Sequence, residues 1–310
     1  MKSSHKRMLM VLFAGLLHMH GAWPAASRLP GCEPLQLVRG YASRPVSYGK
    51  GLLWQISSPG VPDSYLFGTI HVADERILNL PQQVSRALES SGMFVMEALP
   101  DMNEAAAFSG MMFFQDGNRL DQLVSDRVFS RIVAILKDYM IPEQLVANMK
   151  PWAAYVTMNY PPQTGQVLDL ELMNRASLKG SEIRGLETLV EQGEIFNQLS
   201  FDAQARLLTD TVCHYDVVKS DFEKMKQFYL NRDTGALYNY SNRFTMTNEA
   251  VYQDLLNKLV TRRNRNMVER MKEILDKGNA FIAIGALHLP SDEGVLNLLK
   301  RRGYRLTRIY

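Results

Sequence analysis

One short pattern is written twice in this chain. Residues 66–80 read LFGTIHVADERILNL and residues 283–298 read AIGALHLPSDEGVLNL. Each copy runs from an apolar stretch into Gly-x-x-His, then an Asp-Glu pair, then Leu-Asn-Leu. Gly68 and His71 answer Gly285 and His288. After one extra residue in the second copy, Asp74, Glu75, Leu78, Asn79 and Leu80 answer Asp292, Glu293, Leu296, Asn297 and Leu298. An apolar run that stops at Gly and His reads as a buried strand ending in a turn, because glycine allows tight turning or close backbone approach. Two such ends brought side by side would put two imidazoles into one pocket. The repeat therefore points to an α/β fold in which both ends of the chain feed one central sheet.

The flanking sequence supports two βα(β) units. GLLWQISS (51–58) and SYLFGTIH (64–71), separated by Ser58-Pro59-Gly60-Val61-Pro62-Asp63, read as a hairpin or two neighbouring strands. Pro81 opens a helix carrying Val84, Ala87 and Leu88 at helical spacing, and MFVMEAL (93–99) is a buried strand that ends in Glu97. Strand, helix, strand is a βαβ unit, with a parallel sheet expected. This first unit covers 48–102. The second, 278–310, repeats the plan with AFIAIGALH (280–288), a helix over 292–302 closed by Gly303, and YRLTRIY (304–310). Between them, 103–277 reads as a helical insertion, with helical periods at 128–140, 169–180, 188–199, 204–230 and 248–275 and Gly180 as a C-cap. Its methionines read as irregular core filling.

The N-terminus has the layout of a secretory signal peptide: basic KSSHKR (2–7), apolar MLMVLFAGLL (8–17), then Gly21, Ala22, Ala25 and Ala26. A cut after Ala26 leaves a mature 27–310 chain, exported to a periplasm or secreted. The apolar run is too short for a stable transmembrane anchor, and nothing later reaches that length. In an oxidising compartment the two cysteines, Cys32 and Cys213, are more often a disulfide than two free thiols. A formal net charge of only +3 gives no field on the scale that nucleic-acid binding needs. The basic cluster Arg262, Arg263, Arg265 reads as a solvated helix face.

Chemistry gathers at the strand ends. In open α/β sheets ligands bind outside the carboxyl ends of the strands, so His71, Glu97 and His288 would face one crevice. Two His and one carboxylate suffice as ligands for a catalytic divalent ion with open positions for water; Mn, Co and Zn all suit such a set. A His hydrogen-bonded to a loop is the bland alternative. Glu97, directly after Phe94-Val95-Met96, must be paired or coordinated if buried. Glu75 and Arg76 follow the first His and would sit at the crevice mouth. There Arg76 could bind a substrate carbonyl or carboxylate, or pair with Glu75 or Glu97. Asp169, Glu187 and Glu191 read by default as helix charges facing solvent. Arg263-Asn264 near a helix start suits either capping or substrate contact.

Taken in order, GTIHVADERILNLP, FVMEAL, GLETLVEQ, RNRNM and AFIAIGALHLPSDEGVLNLLKRRGY resemble the TraB/GumN family, over roughly residues 48–310. The resemblance implies the erythromycin-esterase and ChaN-like fold. It also implies a metal-dependent hydrolase of the peptidase kind, as in the related Tiki proteins, acting on a peptide or protein, with His71, Glu97 and His288 central. Arg76, Glu187, Arg263 and Asn264 fall on motif positions too. One departure is Ser291, which stands where many relatives carry Gly. The other reading the resemblance allows is a non-catalytic protein that sequesters peptide or haem. Self-association, as a homo-oligomer, is compatible with either.

Overall fold

The computed structural model describes residues 32–99, 101–162, 165–245 and 249–310. The signal peptide expected at 1–26 lies outside the described residues. The chain divides into two compact units. The larger comprises 35–108, 167–195 and 223–310; the smaller comprises 109–166 and 196–222, with described residues 32–34.

The larger unit is built on one mixed six-stranded sheet. Its strands are β1 (Leu53–Ser57), β2 (Ser64–Thr69), β3 (Met93–Ala98), β4 (Glu182–Glu187), β5 (Ala280–Gly285) and β6 (Arg305–Arg308). They lie in the order β4-β3-β5-β2-β1-β6. The four strands from β4 to β2 are mutually parallel, while β1 runs antiparallel to both β2 and β6. The two repeat strands are therefore direct neighbours, with Gly68 opposite Ile284 and Thr69 opposite Gly285. The hairpin and the shared sheet follow the sequence expectation.

Helices named below are α1 (Glu75–Leu78), α2 (Gln82–Ser90), α3 (Leu168–Lys179), α4 (Phe201–Cys213), α5 (Tyr215–Leu230), α6 (Arg263–Lys277) and α7 (Val295–Arg301). The central strands are apolar at successive positions because both faces of the sheet are covered. On one face Leu66, Val95, Ile282 and Ile284 join Met267, Met271 and Ile274 of α6 and Val295, Leu296 and Leu299 of α7 in one core. On the other, Phe281 lies between Phe67 and Phe94, with ring centroids 5.9 and 6.2 Å away. Fully burying such a side chain stabilises by roughly 1.5–3 kcal/mol. Lys179, at the end of α3, places its ammonium on the carbonyls of Leu88 and Ser91, where the C-terminal dipole of α2 favours a cation. Gly180 follows with φ 84°, the left-handed cap read from the sequence.

Three elements depart from the sequence reading. The span 103–277 is not all helical, since β4 lies within it and forms a sheet edge. The run 204–230 is two helices, α4 and α5, broken at His214. The long helix at 248–275 contains a π-helical stretch, Asn257–Arg262, immediately before α6.

In the smaller unit, Trp152 stacks on Phe196 with centroids 5.8 Å apart, and Cys32 is disulfide-bonded to Cys213 at the end of α4. Among the described residues no helix is long and apolar enough to cross a membrane.

Candidate active site

Parallel strands end on the same edge, so the sheet order β4-β3-β5-β2 sets Glu187, Glu97, His288 and His71 along that edge in turn. Each helical layer then contributes from the start of one helix. Alternation along β2 turns Thr69 to the face covered by α3, and α3 supplies Asp169. Alternation along β3 turns Glu97 to the face covered by α6, and α6 supplies Arg263 and Asn264.

Glu97 is buried at the centre. Its Oε1 accepts from the backbone N–H of Gly285 at 2.5 Å, and its Oε2 accepts from Arg263 Nη2 at 2.7 Å. Gly285 leaves room for that approach, since a Cβ there would lie a tight 3.1 Å from Glu97 Oε1. Arg263, with only 13% of its side chain exposed, also donates from Nε to Glu187 Oε2 at 2.9 Å. Gln192 Nε2 donates to the same Glu187 oxygen at 3.2 Å. Burial alone would raise the Glu97 pKa, but His288, Arg263 and His71 bring it down to about 2. Arg263 keeps it a carboxylate.

The two repeat histidines have different partners. His288 is buried, and its Nδ1 lies 2.6 Å from Asn264 Oδ1. Asn264 is fully buried and donates from Nδ2 to the carbonyl of Glu293 at 2.7 Å. Its amide orientation is thereby set, so His288 donates from Nδ1 and keeps the lone pair on Nε2. That Nε2 stands 3.6 Å from Glu97 Oε1 and 3.4 Å from Arg263 Nη1. Burial and the charges of Arg263 and His71 push His288 down to about 4, outweighing Glu97, so it is a neutral imidazole.

His71 is the opposite case. Its side chain is 42% exposed, and its Nδ1 lies 2.7 Å from Asp169 Oδ2. Asp169, 6% exposed, also accepts from Thr69 Oγ1 at 2.6 Å. Burial opposes the charged ring, but the coulombic and hydrogen-bonding effects of Asp169, with Glu97, raise His71 to about 9.

Several expectations need correcting. Arg263 is not a solvated charge but the cation of the site. Arg76, expected beside the reacting group, is exposed and held bidentately by Asp74 at 2.9 and 2.6 Å. Glu75 is exposed on α1 and has no place in the cluster. Asn264 is too deeply buried for substrate contact and instead orients His288. Asp169, read as solvent-facing, is the partner of His71. Helical spacing held that signal, because Asp169 shares a face with the buried Leu172 and Ala176. The second motif tolerates Ser291 in the glycine position at φ 88°, a left-handed backbone that costs a non-glycine residue.

A metal fits this donor set in part. Glu97 Oε1 and His288 Nε2 converge, and Asn264 gives His288 the outer hydrogen bond that metal-ligating imidazoles have. Among the described residues, however, no three His, Cys, Asp or Glu side chains form a group able to hold an ion. The three-ligand set His71, Glu97, His288 is therefore not assembled as expected.

The model for the TraB/PrgY/gumN family matches residues 52–308, which takes in every residue of this cluster. The chain belongs to that family. It is 23% identical to Metalloprotease TIKI2 of Danio rerio over 82% of its own length and 60% of the relative's. It is 23% identical to Metalloprotease TIKI1 of Homo sapiens over 82% and 61% respectively. The chain thus spans about three fifths of these two Tiki proteins. It is also 21% identical to Uncharacterized protein YbaP of Escherichia coli (strain K12), over 79% of its length and 90% of the relative's. No solved structure matches the chain.

Proposed function

We propose that this family member is an exported hydrolase that cleaves peptide bonds. The observation that carries the reading is that two equivalent histidines beside the Arg263-paired Glu97 have opposite partners: His71 sits on the buried Asp169 carboxylate, which raises it, and His288 on the neutral Asn264 in a buried pocket, which lowers it. Titratable groups pushed apart in this way supply the acid and the base of a hydrolytic site. His71, reaching the exposed mouth as an imidazolium, delivers a proton to the leaving amine nitrogen. The basic side is Glu97 Oε1 beside the Nε2 lone pair of His288; with no ion on these two atoms, Glu97 Oε1 takes the one proton that the attacking water gives up. Arg263 ties down Glu97 Oε2 and Glu187, so that Oε1 is the oxygen turned toward His288.

The names of the Tiki relatives suggest a metal. A divalent ion (Mn, Co or Zn) would be held by Glu97 Oε1 and His288 Nε2. When bound it supplies a water of lowered pKa and polarises the scissile carbonyl. The disulfide supports an oxidising compartment outside the cytoplasm.

Incubation with an internally quenched peptide library tests the reading, with chelator and then with added Mn, Co or Zn. New peptide termini are expected, reduced by chelator and abolished in Glu97→Gln and His288→Ala. Peptides that stay intact under every metal condition, including those that co-purify with the protein, overturn the hydrolase. Cleavage untouched by chelator, together with metal content unchanged in His288→Ala, overturns the metal.

A further inference from the structure

The carboxylate beneath His71 does more than neutralise it. Asp169 is buried, and its two oxygens have separate tasks: Oδ1 takes the hydroxyl of Thr69 at 2.6 Å and Oδ2 takes His71 Nδ1 at 2.7 Å. A hydroxyl bonded to a carboxylate must donate, because an ionised carboxylate accepts only. Nδ1 of His71 must donate for the same reason. The pair therefore specifies one arrangement in which Nδ1 carries hydrogen and Nε2 is the ring atom left for chemistry. Thr69 ends β2 and Asp169 opens α3, so the sheet and the helical layer jointly fix the ring plane. His288 reaches the matching arrangement with unrelated parts, a neutral Asn264 braced by the Glu293 carbonyl.

We infer that Asp169 is the positioning residue of the site: it keeps hydrogen on Nδ1 of His71, so that Nε2 is the nitrogen that gives up and regains the exchangeable proton, and Thr69 steadies the carboxylate by holding its other oxygen. In Asp169→Asn the amide can face the ring with its oxygen or with its NH2, because the Thr69 hydroxyl accepts as readily as it donates. The ring then loses its fixed arrangement, and a form with hydrogen on Nε2 and a bare Nδ1 becomes accessible.

The inference rests on the hydrolase reading for its kinetic arm only. Imidazole nitrogen NMR of the full chain, recorded above the His71 pKa of about 9 where the ring is neutral, reads which nitrogen keeps its hydrogen whether or not any peptide is cleaved. Native protein should show hydrogen on Nδ1, and Asp169→Asn should gain the form with hydrogen on Nε2. In turnover of a cleavable library peptide, kcat should fall about 100-fold or more in Asp169→Asn with KM within about threefold. Exchanging the carboxylate behind a catalytic His costs about 10⁴-fold in serine proteases, and losing an outer partner of a metal ligand about 10–100-fold. A native ring with its hydrogen on Nε2, or a His71 spectrum unchanged in Asp169→Asn, overturns the inference. If Asp169→Asn does not fold, Thr69→Val alone decides: a threefold to tenfold loss in kcat at constant KM supports it, and no change overturns it. A native chain that cleaves no peptide would sink the hydrolase reading and leave the tautomer result standing.

Discussion

Replacing Arg263 with Met exposes how much of the fold depends on one guanidinium. Met keeps the length and apolar stem of the side chain and deletes the charge that separates Glu97 from Glu187. Two buried carboxylates then lose their shared partner, and breaking a buried pair by removing one member costs about 3–5 kcal/mol. The carboxylate pKa gives a second route to the magnitude. Glu97 sits near 2 against an ordinary 4.5, worth on the order of 3 kcal/mol, and at neutral pH, with His288 uncharged, Arg263 and His71 are the charges that sustain it. The sign with pH follows. A depressed carboxylate stabilises fully above its unfolded value and loses that stabilisation as pH falls toward the folded value. The gap between native protein and Arg263→Met should therefore be largest near pH 7 and close between about pH 5 and pH 2. Urea unfolding followed by circular dichroism at pH 7, 5 and 3 measures it. A cost below about 1 kcal/mol at pH 7, or a gap that widens on acidification, refutes the assignment of Arg263 as the internal counter-ion.

Three further outcomes are expected. Gly285→Ala puts a Cβ 3.1 Å from Glu97 Oε1, which must give by a few tenths of an ångström, so peptide turnover should fall about tenfold, read as kcat beside an unchanged melting temperature. Ser291→Gly relieves the φ of 88° in the second motif and should raise stability by about 0.5–1 kcal/mol, the strain relieved exceeding the extra entropy of an unfolded glycine; thermal denaturation reads the sign. Replacing Cys32 and Cys213 with Ser removes a link between residues 181 apart in sequence. That should cost roughly 2–5 kcal/mol, and reductant should bring native protein to the same melting temperature.

What could be read from the sequence follows the range of the interactions involved. The repeat strands, α2, Gly180 and the final strand are written in local periodicity and turn chemistry, and the structure has them where the sequence places them. β4 is not legible, because EIRGLE combines charges with an interior glycine and is short enough to pass for the loop between two helices. It becomes a strand only through pairing with β3. The same holds for Arg263, whose neighbours Arg262 and Arg265 make it look solvated. Its partners Glu97 and Glu187 are 166 and 76 residues away along the chain. Asp169, read as solvent-facing from its charge, differs in that a local signal was present, since it shares the buried face of α3 with Leu172 and Ala176.

The pairing of the two repeat strands has a consequence for when the protein can work. Ser64 and Ala280, joined by a hydrogen bond where β2 and β5 begin, are 216 residues apart, yet β5 occupies the interior of the sheet. Closing so long a loop is slow and is rewarded only when the late strand slides between β2 and β3. Until then His71 faces no Glu97 partner network, and His288 has no pocket. A chain still emerging from the ribosome thus holds every residue of its first motif without an assembled site. Competence requires the penultimate strand to be in place, and truncation just before residue 280 should leave a protein without activity.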